Sequence, residues 1–176
     1  MILIISTCKE KLSENEFVKP ISNIVNENLI VKHYSEVEKN DLDTSSKVII
    51  CGTALKDNVY LEHMNDFEWI KTFDKPLLGI CSGMQIIGLE FGASLISCRE
   101  VGMKRIEIEK ENKIFSKNIE VYELHDNSLK NLDNFEILAK SDNSVQSIKH
   151  KEKEIYGIIF HPEVRNHDII KNFLKI

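Results

Sequence analysis

The chain has 176 residues, of which 42% are hydrophobic and 29% are charged, and its formal net charge at pH 7 is −5. This length predicts one domain with a continuous buried core, and the composition argues against both a disordered chain and a membrane protein. A mildly acidic chain without a basic block is also a poor candidate for sequence-independent nucleic-acid binding, so we expect no nucleic-acid partner.

The amino terminus begins with an apolar run, residues 1–5, that is too short for a signal-peptide core or a membrane span. We therefore expect a cytoplasmic protein that does not associate with membranes. The cysteines Cys8, Cys51, Cys81 and Cys98 form no CxxC pair and no zinc spacing, which predicts free thiols in a reducing compartment. We expect no bound metal and no other cofactor.

The first half of the chain alternates short apolar runs with helical patterns. The strands are predicted at 1–6, 29–34, 47–51 and 76–80, and the helices at 20–28, 65–72 and 82–91. This alternation predicts an α/β fold, in which helices flank a mostly parallel sheet.

The second half has a different pattern, because apolar and polar residues alternate with period two. Such segments occur at 103–109, 118–124, 135–140, 145–150 and 155–160, and a helix at 166–176 closes the chain. The alternation predicts half-buried antiparallel strands that extend the parallel sheet. No linker is visible, so residues 1–176 are expected to form a single domain.

The segment 77–87 carries the strongest chemical signal, an apolar strand followed by G-x-C-x-G and an apolar helix. This is a nucleophile elbow with the sulphur of Cys81 in place of a serine oxygen. Gly79 and Gly83 permit a tight turn, the helix amino terminus favours the thiolate, and the backbone N–H of Ser82 points towards a developing oxyanion. The alternative is a buried, inert Cys81 beside an ordinary strand-to-helix turn.

A second segment, 156–163, is an apolar strand that ends in His-Pro-Glu. A thiol nucleophile needs a base, and the base needs an acceptor that orients it. His161 can reach Cys81 if their two strands are neighbours, and Glu163 can accept the second imidazole N–H. Taken alone, His161 would be a strand-end histidine with no role in catalysis.

Together the two segments resemble class I glutamine amidotransferases, the family with a Cys-His-Glu triad and a flavodoxin-like α/β fold. The resemblance covers essentially the whole chain, and it includes Glu100-Val101-Gly102 and the motif around His125. The stretch from Ser141 to Lys151 and the valine after His-Pro-Glu, Val164, are most similar to the glutaminase subunit of GMP synthetases.

The resemblance implies that Cys81 attacks the side-chain amide of glutamine to give a γ-glutamyl thioester and ammonia. His161 would shuttle the proton, and Glu163 would orient His161. The backbone N–H groups of Gly52 and Ser82 would form the oxyanion hole.

For substrate binding, the resemblance implies that Gln85 and the backbone around Leu124 and His125 hold the α-amino and α-carboxylate groups of glutamine. The ammonia would pass to a separate ATP-pyrophosphatase or synthetase subunit, since no glycine-rich phosphate loop occurs in this chain. GMP synthesis, and hence purine biosynthesis, is the expected destination.

Three segments depart from the family pattern. Cys51-Gly52-Thr53-Ala54 stands where Ser-Gly-Gly-Pro is common, Leu124-His125-Asp126-Asn127 replaces Ser-His-Gly-Asp, and Ser6-Thr7-Cys8-Lys9 replaces Asp-Asn-Gly-Gly-Gln. Because Thr53 and Ala54 adopt positive φ only at a cost, we expect the N–H of Gly52 to point away from the oxyanion position in the free chain. Weak activity without a partner follows from that expectation.

Two other functions fit the same triad. One is a stand-alone γ-glutamyl hydrolase or peptidase with a more open pocket, and the other is a non-catalytic regulatory paralogue that uses the old cleft. A DJ-1-like thiol protein is disfavoured, because Ser82 rather than histidine follows the cysteine.

Several residues have simpler interpretations. His33, His63, His150 and His167 are expected at the surface. Asp126 is expected to cap a turn rather than to pair with His125.

Overall fold

The computed structural model describes residues 1–25, 28–115 and 117–176. The strands are β1 Ile2–Ser6, β2 Leu29–His33, β3 Lys47–Ile50, β4 Leu77–Ile80, β5 Ser94–Ile108, β6 Ile119–Lys130, β7 Phe135–Lys140, β8 Val145–His150 and β9 Ile155–Ile158. The α-helices are α1 Glu14–Phe17, α2 Lys19–Val25, α3 Lys39–Thr44, α4 Ser82–Glu90 and α5 His167–Phe173. Segments of 3-10 helix occupy Lys11–Ser13, Tyr34–Glu36 and Val59–Lys71.

Within the described residues the strands form one sheet in the order β2-β1-β3-β4-β9-β8-β7-β5-β6. The pairs from β2 to β9 are parallel, and the pairs from β9 to β6 are antiparallel. This confirms the predicted fold, a parallel α/β sheet with an antiparallel extension. The strand β9 joins the two parts, since it is parallel to β4 and antiparallel to β8.

Both faces of the parallel part are buried. Successive side chains of a strand point to opposite faces, and in β1 the residues Ile2 and Ile4 pack on one side while Leu3 and Ile5 pack on the other. Helices α1, α2 and α5 cover the first face, and α4 with the segment Val59–Lys71 covers the second. Continuous apolar runs are therefore required in these strands.

Three element predictions need correction. The predicted helix at 65–72 is part of the 3-10 segment Val59–Lys71, which is interrupted at His63. The predicted helix at 20–28 is described as Lys19–Val25, residue 28 is not helical, and residues 26 and 27 lie outside the described residues. Strand β5 is longer than predicted, because a register shift between Ser97 and Glu100 breaks the period-two pattern.

Among the described residues, no helix combines the length and the apolar character that crossing a bilayer requires.

Candidate active site

Cys81 lies between the end of β4 and the start of α4. Its backbone has φ 51° and ψ −105°, a region that non-glycine residues rarely adopt. The backbone N–H of Cys81 donates to the carbonyl of Ile158 on β9 at 2.8 Å, which holds the turn against the neighbouring strand. Strain of this kind costs about 1–3 kcal/mol and is typical of a nucleophile that must project above a sheet.

The two glycines of the motif are required by close packing. A Cβ atom on Gly79 would lie 2.4 Å from the backbone carbonyl of Gly83, and a Cβ atom on Gly83 would lie 2.4 Å from the carbonyl oxygen of Ile50. Real Cβ atoms do not approach backbone so closely. Glycine at both positions therefore lets α4 sit directly on β3 and β4, with its amino terminus at Cys81.

His161 follows β9, the strand that pairs with β4, so the structure brings it beside Cys81 as the sequence predicted. Its backbone N–H donates to the carbonyl of Tyr122 at 2.9 Å, and its ring packs on Phe17 with a centroid distance of 5.4 Å. Nδ1 lies 2.7 Å from Oε1 of Glu163, while Nε2 has no hydrogen-bond partner within the described residues. The ring is therefore oriented through Nδ1, and Nε2 is left for a reacting group.

The electrostatic environment of His161 favours the imidazolium. The side chain is 1% exposed, and burial alone would lower its pKa. The charge interaction with Cys81, followed by the hydrogen bond and charge of Glu163, outweighs burial, so the pKa of His161 is raised well above its ordinary value. A protonated imidazole beside a thiol is the charge state that supports a thiolate.

Gly52 lies against both members of this pair. A Cβ atom at this position would stand 2.9 Å from Cε1 of His161 and 3.1 Å from Cβ of Cys81. Gly52, Thr53 and Ala54 do not have positive φ; in this loop only Lys56 does, with φ 68°. Glycine is needed at position 52 for space rather than for backbone conformation.

The loop after β3 is tied down by its own side chains. The hydroxyl of Thr53 donates to Oδ2 of Asp57 at 2.6 Å, and the backbone N–H of Lys9 donates to the same oxygen at 2.8 Å. The backbone N–H of Asp57 donates to the carbonyl of Ala54 at 2.9 Å. These bonds stabilise a compact turn in this loop, which lacks the second glycine and the proline of the common Ser-Gly-Gly-Pro segment.

Two backbone N–H groups are available beside the thiol. Neither the N–H of Gly52 nor that of Ser82 donates a hydrogen bond within residues 1–25, 28–115 and 117–176. Ser82 is the first residue of α4, where free N–H groups and the helix dipole favour negative charge. The arrangement can therefore stabilise an oxyanion next to Cys81.

Gln85 lines a narrow cavity of about 20 Å³ beside Cys81. Its Oε1 accepts a hydrogen bond from the hydroxyl of Tyr60, and its Nε2 donates to the carbonyl of Asn127 at 3.1 Å. Burial raises the pKa of Tyr60, so this hydroxyl remains a donor at physiological pH. Gln85 is thus held rigidly at the wall of the cavity, with one amide N–H left over.

Leu124 and His125 have different positions. The carbonyl of Leu124 lies 3.7 Å from Sγ of Cys81 and forms part of the cavity rim. The side chain of His125 is engaged in a buried cluster with acidic groups: its Nδ1 lies 3.0 Å from the carbonyl of Cys98, and its Nε2 lies 3.1 Å from Oε2 of Glu123 and 3.7 Å from Oε2 of Glu100. At the cavity, position 125 therefore contributes its backbone rather than a free imidazole.

Some of the simpler interpretations also need revision. His150 is buried against Phe91 and Phe135 rather than at the surface. Asp126 lies within β6 and pairs with Arg99 at 3.6 Å, so it does not cap a turn.

The other three cysteines are electrostatically unsuited to nucleophilic attack. Burial raises the pKa of Cys8, Cys51 and Cys98, most strongly for Cys51. A thiol with a raised pKa carries little thiolate at neutral pH.

The sequence interpretation missed four residues of the site: one lines the cavity, and the other three contact Ser82, His161 and His125. They are Thr7, Phe17, Tyr60 and Glu123. Only Glu123 carried a local signal, because a charged residue stands at an inward-facing position of a period-two strand. The others depend on pairings between distant segments.

A thiol at a strand-to-helix turn, with a buried imidazole–carboxylate pair beside it and free backbone N–H groups around it, is the arrangement of an acyl-transfer enzyme of the α/β class. The family model described as "Glutamine amidotransferase class-I" matches residues 18–175. The chain therefore belongs to the class-I glutamine amidotransferase family.

Among curated proteins, the chain is similar to two archaeal proteins, each named as one subunit of a glutamine-hydrolysing GMP synthase. It is 39% identical to the one from Methanobrevibacter smithii over 123 residues, 64% of this chain and 65% of that relative. It is 30% identical to the one from Thermoplasma volcanium over 154 residues, 81% of this chain and 76% of that relative. The chain thus spans about two thirds to three quarters of the length of these relatives.

Two solved structures have the same fold. A crystal structure assigned to a GMP synthase subunit from Thermoplasma acidophilum has a TM-score of 0.84 at 27% identity and covers 99% of this chain and 93% of its own. A glutamine amidotransferase from Thermotoga maritima has a TM-score of 0.74 at 21% identity, covering 99% of this chain and 80% of its own, and is evidence for the fold alone.

Proposed function

We propose that this chain, as a single amidotransferase domain over residues 1–176, is a cytoplasmic glutaminase subunit that supplies ammonia to a separate ATP-dependent synthetase. The observation that carries the proposal is the juxtaposition of Cys81 with His161, whose Nδ1 is bound by Glu163 and whose Nε2 is unpartnered among the described residues. The reaction uses protein groups only, with no metal or cofactor.

In the first half-reaction, the thiolate of Cys81 attacks the side-chain carbonyl carbon of glutamine. A C–S bond forms, and the carbonyl electron pair moves to oxygen, where the N–H groups of Gly52 and Ser82 stabilise it. When the carbonyl reforms, the C–N bond breaks and the imidazolium of His161 gives its proton to the leaving nitrogen. The products are ammonia and a γ-glutamyl thioester.

In the second half-reaction, neutral His161 takes a proton from a water molecule that attacks the thioester carbon. The new C–O bond replaces the C–S bond, and the thiolate of Cys81 returns. The second water proton is lost to solvent as the γ-carboxylate of glutamate forms. Glu163 keeps the imidazole oriented through both steps and stabilises its charged form.

The synthetase in this proposal is of the GMP synthase type. The names of the archaeal relatives support it, because one lettered subunit of a glutamine-hydrolysing GMP synthase implies a further subunit. The acceptor would then be a purine nucleotide with an oxygen where GMP carries its amino group, and ATP would activate that oxygen.

The curated relatives favour this function over hydrolysis of larger γ-glutamyl amides, because their names describe subunits of a glutamine-hydrolysing enzyme. The cavity beside Cys81 has a volume of about 20 Å³, room for roughly one water molecule, so it must widen for glutamine and for a larger amide alike. We propose that the isolated chain turns over glutamine weakly and that the synthetase stimulates it.

Ammonia release tests this proposal directly. The chain is assayed with glutamine, first alone and then with an archaeal-type ATP-pyrophosphatase, ATP, Mg²⁺ and xanthosine monophosphate. We expect weak release alone and strong stimulation in the mixture, with GMP as product. A Cys98→Ser variant, which removes a thiol away from the cavity, serves as the matched control. Absence of ammonia under both conditions would contradict the glutaminase function, and full turnover alone would contradict the stimulation.

A further inference from the structure

Two buried hydroxyl groups converge on one carbonyl oxygen next to the thiol. Thr7 follows β1, Ser82 begins α4, and Cys51 follows β3. The hydroxyls of Thr7 and Ser82 lie 3.1 Å and 3.2 Å from the carbonyl oxygen of Cys51, and they lie 2.8 Å from each other. All three residues are at most 2% exposed, so water does not compete for these hydrogen bonds.

This carbonyl belongs to the peptide that also contains the N–H of Gly52. The described residues include no cis peptide, and in a trans peptide the C=O and N–H groups point in opposite directions. Binding the carbonyl of Cys51 on the Thr7 and Ser82 side therefore directs the N–H of Gly52 away from those hydroxyls. A rotated peptide would lose the hydrogen bonds and would bury an unsatisfied carbonyl, which is unfavourable.

We propose that Thr7 and Ser82 are positioning residues that hold the Cys51–Gly52 peptide in the orientation required for the oxyanion hole. The inference rests on the proposed function, in which the N–H of Gly52 stabilises the oxyanion. This inference replaces the expectation that the N–H of Gly52 points away from the oxyanion position in the free chain. The hydroxyls of Thr7 and Ser82 orient the peptide, so the second glycine and the proline of the common Ser-Gly-Gly-Pro segment are not needed.

The number of available protons makes the pair redundant. Each hydroxyl has one proton, so one hydroxyl donates to its partner and the partner donates to Cys51. If either hydroxyl is removed, the other still has a proton for the carbonyl. Loss of one residue is therefore tolerated, whereas loss of both leaves the carbonyl without a side-chain donor.

The experiment is a double-mutant cycle of glutamine hydrolysis with Thr7→Val, Ser82→Ala and the combined variant. Each chain is assayed in the form in which the wild type turns over, with its synthetase if required. We expect kcat to fall about two- to fivefold in each single variant and about a hundredfold in the combined variant, the usual cost of one oxyanion donor, with KM within about twofold. Thr7→Ser combined with Ser82→Ala keeps one hydroxyl at the carbonyl of Cys51. Its kcat is therefore expected to equal that of Ser82→Ala alone and to exceed that of Thr7→Val with Ser82→Ala.

Two controls separate positioning from general destabilisation. Ser147→Ala removes another buried hydroxyl that donates to a backbone carbonyl, that of Gly157 at 3.0 Å, and it is expected to leave kcat unchanged. Alkylation of Cys81 by iodoacetamide needs no oxyanion hole, so its rate stays near the wild-type rate in the combined variant.

The inference is overturned if the folded combined variant keeps kcat within about threefold of the wild type, if the losses are merely additive, or if alkylation falls as much as turnover. If the combined variant does not fold, Thr7→Cys with Ser82→Ala takes its place, because a thiol fills similar volume with a weak donor, and a loss of kcat of at least about tenfold is expected. A wild-type chain without any glutaminase activity would instead refute the proposed function.

Discussion

Two buried histidine–glutamate pairs lie near β6 and have opposite characters. In the first, His161 follows β9, with Nδ1 bound to Glu163 and Nε2 unpartnered among the described residues, beside Cys81. In the second, His125 stands inside β6, with Nδ1 at the carbonyl of Cys98 and Nε2 beside Glu123. Both imidazoles are almost completely buried.

The cluster around His125 contains two glutamates, Glu100 and Glu123, whose surroundings differ. Burial works against the Glu100 carboxylate of the second cluster, but hydrogen bonds from Ser144, Asn143 and Ser141 outweigh it and hold its pKa below the ordinary value. Burial raises the pKa of Glu123. A buried histidine–glutamate pair is therefore no signature of catalysis by itself. Among the described residues Nε2 lacks a hydrogen-bond partner in both rings, so the distinguishing feature is what this nitrogen faces: a nucleophile at His161, and carboxylates at His125.

The greatest loss of activity is expected from removing the nucleophile, which only the first pair has. Cys81→Ala is expected to lower glutamine hydrolysis to background, a loss of at least about 10⁴-fold, with folding intact. A glutamine-like electrophile should label Cys81 before Cys8, Cys51 or Cys98, as peptide mapping by mass spectrometry would measure. Preferential labelling of another cysteine in the native protein would contradict the assignment.

The two imidazoles should respond differently to the same substitution. His161→Asn is expected to lower kcat by about 10²–10⁴-fold, because general acid–base catalysis is lost. His125→Asn is expected to lower kcat less than about tenfold and to lower the thermal midpoint, because it disrupts a buried polar cluster. Steady-state kinetics and calorimetry measure the two effects. Equal losses of kcat in the two variants would remove the distinction between the two pairs.

The two glutamates should differ in their effect on the pH dependence. Glu163→Gln removes a charge that raises the pKa of His161, so this pKa falls although the interaction with Cys81 remains. We expect about a tenfold loss of kcat and a shift of the alkaline limb of the pH–kcat profile towards lower pH. Glu123→Gln, whose charge also interacts with His161, should shift that limb less in the same direction. An unchanged alkaline limb in both variants would show that His161 does not titrate in the reaction.

Linkage gives the corresponding stability prediction. The pKa of His161 is higher in the folded chain than in the unfolded chain. The protonated His161 therefore stabilises the folded chain fully at a pH below its unfolded pKa, about 6.5. This stabilisation is lost as the pH rises through the pKa of His161 in the folded chain. Denaturant titrations should show that Glu163→Gln loses less stability over this alkaline interval than the wild type. A steeper loss in the variant would contradict the assigned cause.

The smallest expected effect is a difference in stability between two inactive variants of Cys81, which measures the backbone strain at the elbow. Glycine adopts the φ of 51° found at Cys81 without a steric penalty, whereas alanine does not. Cys81→Gly should therefore be more stable than Cys81→Ala by about 1 kcal/mol in the free energy of unfolding, although both are inactive. The backbone of His125 has no positive φ, so glycine there gives no comparable gain over alanine. Equal stability of the two Cys81 variants would show that the elbow is unstrained.

The local parts of this protein could be predicted from the order of its residues. The strand, the G-x-C-x-G turn and the helix around Cys81 are contiguous, so their pattern reveals an elbow before any tertiary contact is known. The alternation of strands and helices likewise predicted the parallel sheet, and the period-two segments predicted its antiparallel extension. His-Pro-Glu was recognisable because its three residues are adjacent.

Which distant groups meet depends on the folded chain. Strand β9 lies between β4 and β8, and that pairing brings His161 to Cys81. The direction of the His125 side chain, the position of Thr7 beside Ser82, and the contact of Gly52 with His161 all depend on strand register across the sheet. A shift of one residue in register turns a side chain to the opposite face, and no local pattern in the chain contains that information.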